Sequence, residues 1–176
     1  MVFTQEPNLS DSKLKPEMAF QHALKAEIIA ILDKKKAEGK LIEYSILEGF
    51  GLDLAVFLKW FNCYSSKFFE LKAFVGHRQG GVGFGNGKGE GVQVDLLLMD
   101  TDKLLFLNQF ARWILIDGTK EYGTRRYAIF DNVIAKNAAM GTMQKGKQNN
   151  FRVSQLISDA ISWTELSKEL EIFLLP

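Results

Sequence analysis

The chain predicts an α/β protein, a β-sheet with helices packed on it. Three observations carry this expectation. A stretch with apolar residues at helical spacing opens the ordered part of the chain. Short segments rich in β-branched and aromatic residues follow, bounded by glycines and turn residues. A last stretch of helical period closes the sequence. With 176 residues there is enough chain for one core and not comfortably for two. The expected organisation is a flexible arm over 1–15 and one α/β domain over 16–176.

The elements follow in order. Pro7, Asn8, Ser10, Asp11 and Ser12 give the arm turn chemistry and little to bury. Pro16 suits a first helical turn, where its missing N–H costs nothing. Phe20, Leu24, Ile28, Ile31 and Leu32 then recur at helical spacing. Lys34 to Lys36 favour the negative end of the helix dipole, and Gly39 stops the helix. Leu41–Leu47 predicts a first strand and Leu52–Trp60 a second. Phe61–Lys67 is expected as a turn region and Phe68–Val75 as a third strand. From Gly80 to Gly91 every second residue or more is glycine, a composition that holds neither helix nor strand by itself. A second helix is expected within Val92–Leu107, with a strand over Val94–Met99 as the alternative. Phe110–Asp117 and Tyr127–Asp131 predict two more strands. Ser154–Leu175 predicts the final helix, with Leu156, Ile157, Ile161, Leu166, Leu170 and Phe173 as its apolar set.

Composition excludes several classes. The chain is 47% hydrophobic and 24% charged, so it is neither disordered nor collagen-like. The single cysteine, Cys63, rules out an internal disulfide, and it lacks the Cys and His companions of a zinc site. No apolar run approaches the roughly 20 residues that cross a bilayer, and residues 1–15 lack a secretory signal. A soluble cytoplasmic protein with no membrane contact is the expectation. Net charge is +1, so any polyanion must be met by a local patch. Residues 103–152 offer one, with nine lysines and arginines against three acids.

The chemistry concentrates on the second and third strands. Alternation puts Glu70 and Lys72 on one face of the third strand and Phe69, Leu71, Ala73 and Val75 on the other. In the second strand Leu54, Val56 and Leu58 are the apolar face, opposite Asp53, Ala55 and Phe57. Matching the apolar faces across a hairpin brings Asp53 beside Glu70 and Lys72. This requires an even number of connecting residues, because a slip of one flips a strand. Two carboxylates so placed repel each other, and a hard divalent cation relieves that cost. An adjacent lysine can orient water and stabilise charge on a phosphorane-like transition state. The chemistry that fits is metal-assisted hydrolysis of a phosphodiester.

Asp53 followed by Glu70-Leu71-Lys72 resembles the signature of the PD-(D/E)XK nucleases, a superfamily of restriction endonucleases, Holliday-junction resolvases and repair nucleases. The resemblance covers residues 16–75. It implies a restriction-endonuclease-like fold with a central mixed β-sheet flanked by helices, and Mg²⁺-dependent (or Mn²⁺-dependent) cleavage of DNA by a homodimer. It implies Asp53, Glu70 and the Leu71 carbonyl as metal ligands, Lys72 as the catalytic lysine, and a first-helix glutamate, best matched by Glu27, completing the site. Glu43 and Glu48 compete for that last place. Leu52 stands where the family often has proline. Gln79 or Gln93 matches a glutamine that some members carry after the lysine.

Around this core, Arg78 just before the glycine-rich segment and Lys88 within it, with Lys145 and Lys147 further on, are candidate substrate contacts. The glycine-rich segment fits neither the P-loop nor the dinucleotide-binding pattern. Two other functions stay open on sequence alone: an inactive nuclease-like module that binds nucleic acid or serves assembly, and a small-molecule-binding α/β protein.

Overall fold

The apolar stripe of the first helix decides how the sheet is covered. In a computed structural model, which describes Glu6 and residues 16–48, 53–74, 110–117, 123–124, 127–131, 133–134, 137 and 159–176, helix α1 is Pro16–Ala37. Phe20, Leu24, Ile28, Ile31 and Leu32 are all buried along one side of it. Gly39 ends it as the sequence predicts, at φ +71°. The amides of Gly39 and Lys40 donate back to the carbonyls of Lys36 and Lys35, at 3.0 and 3.1 Å. These two bonds satisfy carbonyls that the helix end would otherwise leave orphaned.

Five strands follow: β1 (Leu41–Glu48), β2 (Leu54–Trp60), β3 (Tyr64–Phe74), β4 (Ala111–Asp117) and β5 (Tyr127–Phe130). They form one sheet in the order β1-β2-β3-β4-β5. Only the β3–β4 pair is parallel, so the sheet is mixed. Helix α2 (Trp163–Phe173) closes the described chain. The architecture is α/β, as expected, with α1 and α2 on one face of the sheet. Leu54, Val56, Leu58, Phe69, Leu71, Ile114, Ile116 and Tyr127 line that face and share a core with α1 and α2. Trp113, Leu115, Ala128 and Phe130 on the opposite face are buried too.

Two boundaries differ from expectation. The predicted turn region 61–67 is mostly strand, because β3 begins at Tyr64 and Lys59 already pairs with it. Pairing with β2 carries the polar Ser65–Lys67 between Tyr64 and Phe68 into the strand, and the turn is left to Phe61, Asn62 and Cys63, with the Trp60 amide donating to the Cys63 carbonyl at 2.8 Å. The final helix begins at Trp163, not at Ser154. Ile161, expected within it, instead exchanges two backbone hydrogen bonds with Tyr127. Ser162 then caps the helix, and it forms a reciprocal capping box with Glu165. An apolar period continued upstream cannot show where a serine cap interrupts it. The glycine-rich segment, the second helix expected within Val92–Leu107, and Leu156 and Ile157 lie outside the described residues. So does almost all of the arm, although Glu6 accepts hydrogen bonds from the Tyr127 hydroxyl at 2.8 Å and the Gly123 amide at 3.1 Å.

The helices are tied down by polar contacts as well. Lys35 pairs with Glu171 across α1 and α2 at 2.5 Å, which holds the Glu171 carboxyl below its usual range. Phe173 packs edge-on against Phe69 and carries two cations over its ring, Lys67 at 4.8 Å and Arg112 at 4.4 Å. Burial, and then the neighbouring Arg112, holds the Lys67 ammonium below its usual range.

Tyr44 joins β1 to α1 by donating to Asp33 Oδ1 at 2.7 Å. Partial burial, with the Asp33 carboxylate beside it, pushes the phenol up from 10.0 to about 12. The raised value means that the folded state holds this proton more tightly than the unfolded chain. Its contribution to stability is therefore intact below pH 10 and lost as the pH climbs towards 12. Spectrophotometric titration at alkaline pH should show Tyr44 ionising late, and Tyr44→Phe should remove its contribution to the late step.

Candidate functional site

The register of β2 against β3 builds the site. Leu54 pairs with Phe69 and Lys59 with Tyr64, which leaves the four residues Trp60–Cys63 between the last partners. That even number is what the sequence argument required. It puts Leu54, Val56 and Leu58 on the helix face with Phe69 and Leu71. Asp53, at the entry to β2, falls on the opposite face with Glu70 and Lys72.

The three side chains do converge. Lys72 Nζ lies 2.7 Å from Glu70 Oε1 and 3.9 Å from Asp53 Oδ2. Glu70 and Lys72 are largely buried, with side chains 11% and 13% exposed, while Asp53 at 28% keeps an opening to solvent. One ammonium thus lies between two carboxylates, holding together groups that would otherwise repel.

The backbone contributes as well. The Leu71 amide donates to Asp53 Oδ2 at 2.7 Å. The Phe68 amide, three residues earlier, donates the other way, to the Phe110 carbonyl beside β4. A strand residue sends its N–H and C=O to the same edge. The Leu71 carbonyl therefore leaves β3 on the Asp53 side, beyond the point where β2 pairing stops. On the far side of Asp53, Gln21 of α1 donates from Nε2 to the Asp53 carbonyl at 3.2 Å. Asp53 is held from both directions, at its backbone by the helix and at its carboxylate by the neighbouring strand.

Such a set suits one divalent ion. Two carboxylates and a nearby backbone carbonyl form the kind of hard-oxygen environment Mg²⁺ takes. No group of three or more His, Cys, Asp or Glu side chains gathers as a metal cluster among the described residues. The fit therefore rests on Asp53, Glu70 and the backbone.

Glu27 is seated differently. It is 1% exposed, and its carboxylate accepts from Ser167 Oγ of α2. The carboxylate thus helps dock one helix on the other. Glu27→Gln keeps an oxygen to accept from Ser167. The expected result is a denaturation midpoint close to the parent's, so any loss of activity in that variant measures a role in the site itself.

The competing acids lie elsewhere. Glu48 pairs with Lys25 at 2.5 Å, a contact that holds its carboxyl below the usual range. Glu43 pairs in register with Lys59, towards the β2–β3 turn. His22 is exposed. Arg78, Gln79, Lys88, Gln93, Lys145 and Lys147 lie outside the described residues.

Sequence reasoning missed Gln21 and Ser167. Ser167 carried a signal, since it stands at helical spacing with Trp163 and Leu170, where an apolar residue would be expected. Gln21 carried none, because its contact joins residues 32 positions apart, with β1 between them, a separation no periodicity describes. Among the described residues no helix is long and apolar enough to cross a membrane. Comparison of the chain with family models finds no match, and neither curated proteins nor solved structures match it.

Proposed function

We propose that the chain is a Mg²⁺-dependent endonuclease that hydrolyses phosphodiester bonds in DNA, a nuclease of the PD-(D/E)XK kind. The observation that carries this reading is the convergence of Asp53 and Glu70 on Lys72, with the Leu71 amide fixing one of the two carboxylates. Asp53, Glu70 and the Leu71 carbonyl would hold the ion, which when bound supplies Lewis-acid charge and a more acidic water. Lys72 would orient the attacking water and neutralise charge building on the phosphate oxygens. Water adds to phosphorus, one P–O ester bond breaks, and the departing oxygen takes a proton. The products are a phosphate monoester and a free hydroxyl. Cutting both strands calls for two such sites, so a homodimer belongs to the proposal, as does a cytoplasmic location beside the substrate.

Incubation of the purified chain with plasmid DNA tests it. Nicking or linearisation is expected in Mg²⁺ or Mn²⁺, and none in EDTA. Intact plasmid under every metal condition would remove the proposal. That outcome would favour a second reading, a nuclease-like module that binds without cutting, for which the Lys72 bridge between the carboxylates is a purely structural ion pair.

A further inference from the structure

We propose that the exposed groove at the turn end of the β2–β3 hairpin is a stacking platform for an unpaired nucleic-acid strand, on the same sheet face as the Asp53–Glu70–Lys72 site. The inference extends the nuclease reading and takes the position of the cleavage site from it.

The register lays out one face as a series of rows. Asp53 and Glu70 stand at one end. Next come Ala55 and Phe68, then Phe57 and Ser66, then Lys59 and Tyr64 beside the turn. Each row advances two residues, about 7 Å along the strands. Phe57 therefore lies about 13 Å from the Glu70 row and Tyr64 about 20 Å from it. A groove of about 490 Å³ occupies this end, lined among others by Phe57, Lys59, Tyr64, Ser66 and Glu43.

The lining has the chemistry of base stacking. Phe57 is 41% exposed and Tyr64 78%, unusual for aromatic side chains in strands. Phe57 meets Phe68 edge-on at 6.3 Å. Phe68 is half-buried and Ala55 in its row is buried, so the exposed aromatic surface is Phe57 and Tyr64 at the groove. Lys59 holds its ammonium 6.0 Å above the Tyr64 ring. Among the described residues it pairs with no carboxylate, although Glu43 stands across from it in register. Exposed aromatics beside a free ammonium and hydroxyls match what an unpaired strand presents, flat bases on a charged backbone. A stacked duplex shields its base faces and could not use Phe57 and Tyr64 in this way. The occupant is therefore single-stranded DNA or a frayed end next to the cut.

Fluorescence anisotropy of a short labelled oligo-dT with the full chain in EDTA reads binding without cleavage. The oligo-dT is expected to bind more tightly than a duplex of equal length and more tightly than an abasic oligomer. Tyr64→Ala should weaken binding by roughly five- to hundredfold, the range for losing one stacked base. Tyr64→Phe should keep it, and Glu43→Gln should strengthen it. Equal affinity for the abasic oligomer, an unchanged Tyr64→Ala, or no binding at all would overturn the platform. So would a Tyr64→Ala chain that binds DNA normally but sediments as a smaller species, because the aromatics would then belong to a protein interface. Platform-dependent binding without Mg²⁺-dependent cutting would leave this inference standing and remove the nuclease reading.

Discussion

Replacing Lys72 by methionine is expected to lower Mg²⁺-dependent plasmid cleavage by about 10²- to 10⁴-fold, the usual scale for one positioned group in proton transfer or charge stabilisation. Asp53→Asn and Glu70→Gln should fall at least as far, since each keeps its shape and loses the charge that would hold the ion. The three residues form one unit through the Lys72 contacts, so their losses should not multiply. An Asp53→Asn/Glu70→Gln double variant is expected to match the worse single one. Initial rates of nicking against Mg²⁺ concentration separate the roles. The carboxylate variants should need more metal, whereas Lys72→Met should lose rate at saturating metal. Parent-like rates in all three would end the assignment.

The same lysine carries the second large effect, on stability. Lys72 and Glu70 are mostly buried, and breaking a buried ion pair from one side costs about 3–5 kcal/mol. Partial exposure of Asp53 puts the expected loss for Lys72→Met near the lower end, about 3 kcal/mol in EDTA. That is a large part of the 5–15 kcal/mol that holds a typical domain. Divalent ions should restore part of it, because a cation can then stand where the ammonium stood. At a hundredfold excess over its dissociation constant an ion adds about 2.7 kcal/mol. Urea titrations with and without Mg²⁺ should show a larger metal-dependent shift in the variant than in the parent. A variant as stable as the parent in EDTA would mean that Lys72 does not hold the two acids together.

Much of this arrangement was legible in the chain. Although the turn, expected over Phe61–Lys67, closes at Trp60–Cys63, the alternation of Phe69, Glu70, Leu71 and Lys72 fixed which side chains share a face, and matching the apolar faces of β2 and β3 required an even connection. These are period-two facts, and a sequence displays them directly. The stripe of α1 was legible for the same reason at a different period. Contacts that depend on how elements pack were not. Glu27 lies beside an apolar stripe whether it reaches a metal or a serine on another helix, and only the docking of α2 decides which partner it meets. Helix and strand ends were legible where a residue has one conformational use, as at Gly39. They were not where the signal was continued apolarity, as upstream of Trp163.

Tyr127 has a consequence for how the molecule comes apart. Its backbone N–H and C=O clasp Ile161, and its hydroxyl holds Glu6, so a single side chain and its peptide group anchor segments more than 150 positions apart in the chain. The ring between these contacts is fully enclosed against Phe20 and Trp163. Ile161 is thus tied by its backbone to a residue of the core, and its amide should exchange with solvent only about as often as that core opens.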